Sequence, residues 1–465
     1  MLQDQRHALT QASEMLQLLL LLPVIGAPTS QQRPNLVLLL SDDHPHDHLA
    51  SAGHPLLSTP HLDALAGNGV RFERAFTSTP ICAAARATLL TGLSERAHGY
   101  TFTRPPLSED LRSSSVPALL RDAGYRVGLV GKLGVRLGPD GVDGLFDSHV
   151  PGTLPYRTME GDQPHLTERN ARSAVEFITA DSSAPFCLFL WFQAPHAADG
   201  DPRQYIWPPE LDSLYEDSEL PPLPPTSRPE FFAGLPEFLR ESLNRDRFFW
   251  RFDTPEKRQQ MTRGYLRLLT AMDRAVGRVT ECLEQEGLSD STVVLFTGDN
   301  GYFLGERGFA GKWTMHDRSI RIPLILHDPR LPARLRGVTS PALVSHLDIP
   351  PTLLELAGIE PPPRMQGRSL LPLLRGEPVT WREEVFTEHL WEHPRIPRTE
   401  GLRTDRWKYI RYLDHPEYEE LYDLQSDPHE AQNLAAAPEH AERLAELRSR
   451  CTAAARAAAG DGAPR

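Results

Sequence analysis

Cysteine is scarce in this 465-residue chain, with Cys82, Cys187, Cys282 and Cys451 far apart and no CxxC pair. That spacing excludes a disulfide-framed miniature fold and a cysteine-rich zinc module. Positive charge is also short: 49 Lys and Arg stand against 62 Asp and Glu, for a net charge of −13. A phosphate-backbone partner draws on a basic surface, so nucleic-acid binding is excluded as the function class. An anionic small substrate is not, because a cleft can carry its own local field. Long apolar runs are missing too. Leu16 to Ile25 is too short to span a membrane, and Gly26, Ala27, Thr29 and Ser30 follow it. Residues 1–32 therefore read as a signal-like segment, predicting export to a periplasmic, secreted or lysosome-like compartment. Asp4 and Glu14 precede the run where basic residues belong, which leaves a buried or frayed N-terminal helix as the alternative. There is no internal repeat.

What is present in quantity is proline, 43 residues, with a dense stretch from Pro208 to Pro236 that predicts a long irregular surface excursion. Four short apolar runs share a pattern. Leu36 to Leu40 ends in Ser41-Asp42-Asp43, and Val127 to Val130 in Gly131-Lys132. Phe186 to Phe192 ends in Pro195-His196, and Val293 to Phe296 in Gly298-Asp299-Asn300. Runs without alternation suit strands buried on both faces of a parallel sheet, whose carboxyl ends are where open α/β folds bind ligands. Helices are predicted between them, starting at Thr59-Pro60, at Ser115 to Pro117, at Thr167-Glu168 and at Thr254-Pro255, from cap and proline signals. This alternation predicts an α/β catalytic domain over residues 33–375. After it the texture turns short and partly alternating, at Glu384 to Thr387, Gly401 to Thr404, Trp407 to Arg411 and Glu419 to Asp423, with an Ala-rich helix from about Pro438. Residues 376–465 thus read as a small α+β subdomain with an antiparallel sheet and a terminal helix.

Cys82 opens a stretch of good helix formers that stops at Gly92. A cysteine at a helix N-terminus feels the positive end of the macrodipole, although a lone cysteine there is as often a small packed residue. Cys82-Ala-Ala-Ala-Arg86 with Leu90-Thr91-Gly92 resembles the signature of the type I, formylglycine-dependent sulfatases. The other pieces follow in order from Arg33 to Leu434: Arg33-Pro34-Asn35, Ser41-Asp42-Asp43, Thr59-Pro60-His61-Leu62-Asp63, Thr297-Gly298-Asp299-Asn300-Gly301, Gly311-Lys312-Trp313, and Leu421-Tyr422-Asp423-Leu424 before Asp427-Pro428.

The resemblance implies an alkaline-phosphatase-like fold, a large mostly parallel sheet flanked by helices, and a sulfuric ester hydrolase of arylsulfatase type. It implies that a maturase oxidises Cys82 to formylglycine, whose hydrate attacks sulfur and then releases sulfate by elimination. Asp42, Asp43, Asp299 and Asn300, with residue 82, match the family's ligands to one calcium ion, a hard-oxygen set suited to Ca²⁺ or Mg²⁺ and not to zinc. Arg86, Lys132 and Lys312 match the cations around the sulfate, and His196 the acid at the scissile oxygen. Lys312 is equally what a solvated lysine looks like outside its Gly-Lys-Trp setting. Where the family often reads Gly-Lys-x-His this chain has Gly131-Lys132-Leu133-Gly134, so His44, His46 and His98 are candidate substitute bases. The expected substrate is a sulfated carbohydrate such as N-acetylglucosamine-6-sulfate, or an aryl sulfate. Trp207, Tyr215 and Arg228 and the segment His389 to Arg398 are candidate walls for the sugar. Two other readings share the scaffold: a phosphodiesterase or phosphonate monoester hydrolase, and an impaired sulfatase-like binding protein.

Overall fold

A computed structural model describes residues 33–152 and 164–460. The signal-like run at Leu16 to Ile25 lies outside the described residues. The strands in chain order are β1 (Asn35–Ser41), β2 (Val70–Phe76), β3 (Arg126–Gly131), β4 (Ser148–Pro151), β5 (Phe186–Trp191), β6 (Thr292–Gly298), β7 (Phe303–Leu304), β8 (Ala310–Gly311), β9 (Arg321–Ile322), β10 (Leu324–His327), β11 (Val338–Ser345), β12 (Glu384–His389), β13 (Thr399–Thr404), β14 (Trp407–Tyr412) and β15 (Glu419–Asp423). The large sheet runs β11-β2-β10-β6-β1-β5-β3-β4, with β9 pairing β2.

The four runs singled out in the sequence are consecutive neighbours, β6-β1-β5-β3, and all three pairings between them are parallel. Their lack of alternation has a direct cause, because each face of these strands is covered. Val37, Leu39, Leu188, Leu190, Val294 and Phe296 pack with the helices Leu166–Thr179 and Pro255–Gln285. Leu36, Leu38, Leu40, Cys187, Phe189, Trp191, Val293 and Leu295 pack with Cys82–Thr91, Val116–Asp122 and Ile349–Leu356. Burying a large aliphatic side chain contributes about 1.5–3 kcal/mol, so neither face tolerates polar alternation. The remaining strands of the large sheet escaped the sequence reading because their patterns are short or mixed. In β2, Val-Arg-Phe-Glu-Arg-Ala-Phe, charged residues interrupt the apolar ones, and β10 enters antiparallel to both β2 and β6.

The helix starts fall close to their expected places. One correction concerns the third: it begins at Leu166, and its cap is His165, whose side chain accepts from the Thr167 amide. The proline-dense stretch folds as 3-10 turns and short helices, among them Pro229–Ala233 and Glu237–Arg240, leading into Leu243–Arg251. β12 to β15 form an antiparallel sheet. One of its faces receives the terminal helix Ala441–Ala459 through Leu444, Leu447 and Cys451, and the other packs on Phe76, Phe303, Phe309, Met315 and Ile320. The described residues from Pro34 onward form one compact unit.

Candidate active site

Because β6, β1, β5 and β3 are parallel and in register, their carboxyl ends lie on one edge. Ser41 pairs with Gly298, Leu40 with Trp191, and Gly131 with Trp191. The next residues of each strand therefore converge: Asp42 and Asp43, Asp299 and Asn300, Lys132, and His196. The helix that begins at Cys82 points its N-terminus at the same place, and Gly92 stops it in the left-handed region at φ 73°.

The ligand atoms of Asp42, Cys82 and Asp299 lie within 4.8 Å of one another, as do those of Asp42, Asp43 and His196. Asp42 belongs to both groups, so the two share one centre. Arg86 is fully buried and donates through Nε and Nη2 to Asp299 Oδ2 at 3.1 and 3.0 Å, and through Nη2 to Asp42 Oδ2 at 3.2 Å. Its guanidinium also lies 5.4 Å from the Trp191 ring centroid. Lys132 Nζ bonds Asp42 Oδ2, and Lys312 Nζ bonds Asp43 Oδ1. Asn300 Nδ2 donates to Asp43 Oδ1 at 2.7 Å, and the Asp43 amide donates to Asp299 Oδ1 at 3.1 Å. His196 turns Nε2 toward Asp43 Oδ2 at 3.6 Å, its Nδ1–H being spent on the Ala197 carbonyl at 2.6 Å. Cys82 is buried, with 4% of its surface exposed. Every residue matched in the sequence to the metal, to the sulfate or to the leaving group is thus brought to this one strand edge.

The electrostatics are those of charges removed from water and paired. Burial works to raise the Asp42 carboxyl, but Lys132, His196, Arg86 and Lys312 hold it far below the usual carboxylate range. Asp299 goes the other way: burial, then the Asp42 charge, push it up to about 7 against Arg86 and Lys312. Burial opposes the charged form of Lys312 as well, yet Asp43 and its acidic neighbours raise its pKa. A carboxyl lifted by burial and a neighbouring anion is one that a bound cation returns to its ionised form. Two further observations fit a cation. Asp42 Oδ1 and Asn300 Oδ1 are buried and accept no hydrogen bond among the described residues, although buried acceptors are nearly always paired. Asp42, Asp43, Asp299 and Asn300 also offer hard oxygens of a carboxylate-and-amide set, as Ca²⁺ or Mg²⁺ requires, beside the Cys82 thiol and the His196 imidazole.

Of the three candidate substitute bases, His98 and His44 have their rings engaged in hydrogen bonds of the surrounding scaffold. His98 takes the Tyr100 amide on Nδ1 at 3.0 Å, leaving Nε2 against Thr88 Oγ1 at 3.4 Å, so it braces the Cys82–Thr91 helix from the side. His44 lies between Ser41 Oγ at 2.9 Å and the His48 carbonyl at 2.8 Å. Burial pushes His98, His44 and His46 each down to about 3. Trp207 and Tyr215 are likewise claimed by the long helix: Trp207 lies under Arg267 at 4.7 Å, and the Tyr215 hydroxyl meets Thr270 Oγ1 at 2.7 Å. Arg228 stands at the N-cap position of the short helix Pro229–Ala233 with its side chain exposed.

Gly134 has a physical reason of its own. Its φ is +70°, and a Cβ there would stand 2.9 Å from Arg86 Cδ. The backbone closes over Arg86 and Lys132 at a point where a side chain has no room.

The sequence reading missed two supporting residues. Tyr265, buried in the Pro255–Gln285 helix, donates its hydroxyl to the Asp43 carbonyl at 2.6 Å. Asp43 sits in the left-handed region at φ 64°, so this bond secures a conformation that a non-glycine residue adopts at a cost. Asn244 donates to the Lys312 carbonyl at 2.8 Å. Neither carries a local signal, since Tyr265 reads as one more core position of an amphipathic helix.

Residues 34–359 match the family model Sulfatase, and residues 305–457 match the model for the C-terminal part of N-sulphoglucosamine sulphohydrolase. The chain is 28% identical to N-acetylglucosamine-6-O-sulfatase of Bacteroides thetaiotaomicron, over 90% of this chain and 85% of that protein. Among solved structures, one similar chain is a protein in complex with its substrate D-glucosamine-2-N,6-O-disulfate, at TM-score 0.79 and 24% identity over 93% of this chain and 99% of that one. The phosphonate monoester hydrolase of Agrobacterium radiobacter shares the fold at TM-score 0.75 and 22% identity, over 92% and 96% of the two chains. With a family model spanning most of its length and the family's motif residues gathered at one strand edge, the chain belongs to the sulfatase family of enzymes.

Proposed function

We propose that this enzyme hydrolyses sulfate monoesters of carbohydrates, with residue 82 working as formylglycine and a calcium ion held by Asp42, Asp43, Asp299 and Asn300. The observation that carries this is the meeting of three carboxylates, three cations and Cys82 within one buried cluster. The ion would supply Lewis acidity at a sulfate oxygen and at the hydroxyl of residue 82. The aldehyde hydrate would supply a nucleophile whose second hydroxyl permits release of sulfate by elimination.

The chain's own residues do the rest. Arg86 spans Asp42 and Asp299 and keeps both carboxylates facing inward. Lys132 and Lys312 sit where charge moves onto sulfate oxygens, already desolvated and fixed by their Asp partners, so little reorganisation is needed during reaction. His196 is oriented by its bond to the Ala197 carbonyl, leaving Nε2 to give a proton to the departing alcohol oxygen. Burial lowers its pKa while Asp43 and Asp42 raise it, so the imidazolium, once formed, gives up its proton readily. The carbohydrate class follows the relatives, among them one named for N-acetylglucosamine-6-sulfate and one solved with a glucosamine disulfate. Maturation needs a formylglycine-generating partner, and the segment 1–32 fits export.

The fold neighbour that cleaves phosphonate monoesters favours a second reading. Peptide mass spectrometry on protein made with a competent maturase, with rates on glucosamine 6-sulfate and an aryl phosphonate, separates the two. The expected result is the thiol-to-aldehyde mass change at residue 82 and preference for sulfate. An intact thiol, or preference for phosphonate, would refute the proposal.

A further inference from the structure

Lys312 reaches Asp43 from residues 312–316, a stretch outside any helix or strand between β8 and the short helix Asp317–Ile320. The backbone on both sides of the lysine is unusual. Gly311 lies at φ 145° and Trp313 at φ 79°, and a bulky residue in the left-handed region is a true outlier. Such a conformation persists only where its surroundings over-determine it. Here two side chains do so, each taking a carbonyl. Asn244 Nδ2 donates to the Lys312 carbonyl at 2.8 Å, and Thr399 Oγ1 donates to the Trp313 carbonyl at 3.0 Å. A Cβ at residue 311 would stand 2.1 Å from Asn244 Oδ1, so the glycine before the lysine is what lets Asn244 close in.

Thr399 opens β13, the second strand of the antiparallel C-terminal sheet. Residues two apart on a strand share a face, which places Gly401 beside Thr399. A Cβ at Gly401 would meet Met315 Cβ at 2.7 Å, so the strand gives up a side chain where fully buried Met315 approaches it. The same sheet holds the end of the stretch. His316 Nε2 lies 2.8 Å from Glu420 Oε2, both wholly buried, and Asp317 pairs with Lys408. The Trp313 ring packs with Ile81, Ala84 and Ile396, and the Arg247 guanidinium lies 4.9 Å from it. Lys312 therefore leaves a backbone gripped by the C-terminal sheet and by the helix Leu243–Arg251.

We infer that Thr399 is a positioning residue for the reaction: through the Trp313 carbonyl it fixes the backbone course that keeps the Lys312 ammonium against Asp43, and Asn244 does the same through the Lys312 carbonyl. The inference rests on the reading above that Lys312 meets charge moving onto sulfate oxygens. A lysine carries its charge on a flexible four-carbon stem, so its ammonium is preorganised only when the root of that stem is fixed as well as its tip. The C-terminal sheet thereby takes part in the chemistry.

The test is a double-mutant cycle in the full chain made with a competent maturase, using Thr399→Val, Lys312→Ala and the two together. Thr399→Val keeps the β-branched shape and removes the hydroxyl. On an aryl sulfate it is expected to lower kcat about tenfold with KM within about twofold of wild type, and Thr399→Ser is expected to restore kcat. In the Lys312→Ala background Thr399→Val is expected to cost nothing further, because the lysine it positions is gone. Inorganic sulfate carries a second negative charge that the ester lacks. Its affinity for the chain with Cys82 unmodified, read by calorimetry with calcium present, is expected to show the same cancellation. Should Thr399→Val fail to fold, Asn244→Ala runs the same cycle through the neighbouring carbonyl. Equal losses in the two backgrounds, which a merely structural role would give, overturn the inference and leave the sulfatase reading standing. Cancellation on an aryl phosphonate, without turnover of the sulfate, keeps the positioning role and defeats the sulfate reading instead.

Discussion

Replacing Tyr265 by Phe removes a single hydroxyl from the interior, and the structure says where the loss is felt. That hydroxyl donates to the Asp43 carbonyl at 2.6 Å, and burial holds its pKa well above the ordinary tyrosine value, so it stays a donor at any working pH. Without it a buried carbonyl is left unpaired, a loss of about 1–3 kcal/mol. Asp43 is held at φ 64°, and a left-handed non-glycine residue carries strain of about 1–2 kcal/mol. The two magnitudes are similar, so in the variant the metal-free protein can relax Asp43 toward ordinary backbone, whereas the metal-bound form must keep it. At the proposed calcium site the loss therefore falls on metal affinity, and a weakening of about tenfold is expected. The assay is thermal unfolding across a calcium titration, with saturation of the Tm shift read for wild type and variant. Tyr205→Phe is the control, because the Tyr205 ring lies 5.6 Å from Tyr265 and its buried hydroxyl has no partner among the described residues. A Tyr265→Phe protein with lower Tm but calcium affinity within about twofold of wild type would refute the reasoning.

Glu95 and Gly134 give two more predictions. Burial, then the charge of Glu388, push the Glu95 carboxyl up to about 8, while Thr79 Oγ1 and the Leu390 amide donate to it. The folded form binds a proton that the unfolded chain releases near its ordinary value of 4.5, so stability falls as pH rises from there toward 8 and the loss is complete above it. Glu95→Gln is expected to flatten the fall in Tm across this window, and parallel curves for the two proteins would count against it. Installing histidine by Gly134→His places a Cβ 2.9 Å from Arg86 Cδ at φ +70°. It is expected to cost at least about 1–2 kcal/mol and to lower activity by displacing Arg86. A variant as stable as wild type and faster in sulfate release would show that the space exists after all.

Much of the catalytic framework was legible because its signals are local. A short apolar run that lacks alternation suits a strand covered on both faces, and in a parallel sheet its last residues then lie on the ligand-binding edge. Leu36 to Leu40 and Val293 to Phe296 announced both their burial and the destination of Asp42, Asp43, Asp299 and Asn300. Strands such as β2 and β10 were not legible, since their place is set by neighbours distant in sequence. His98 shows a related limit. A histidine near a motif looks available in sequence, and only the packed structure shows its ring committed to Tyr100 and Thr88.

The division between the two kinds of information follows from the range of the interactions. The sequence by itself determined the family, the buried strands and the identities of the charged residues at their ends, because periodicity, caps and motif spacing act over a few residues. Only the tertiary structure decided that β6, β1, β5 and β3 are adjacent and parallel, which turns separate strand ends into one centre. It alone placed Tyr265 under Asp43 across 222 residues of chain, and closed the backbone at Gly134 over Arg86. Those contacts arise when hydrophobic faces of remote segments are buried together, and no local pattern encodes them.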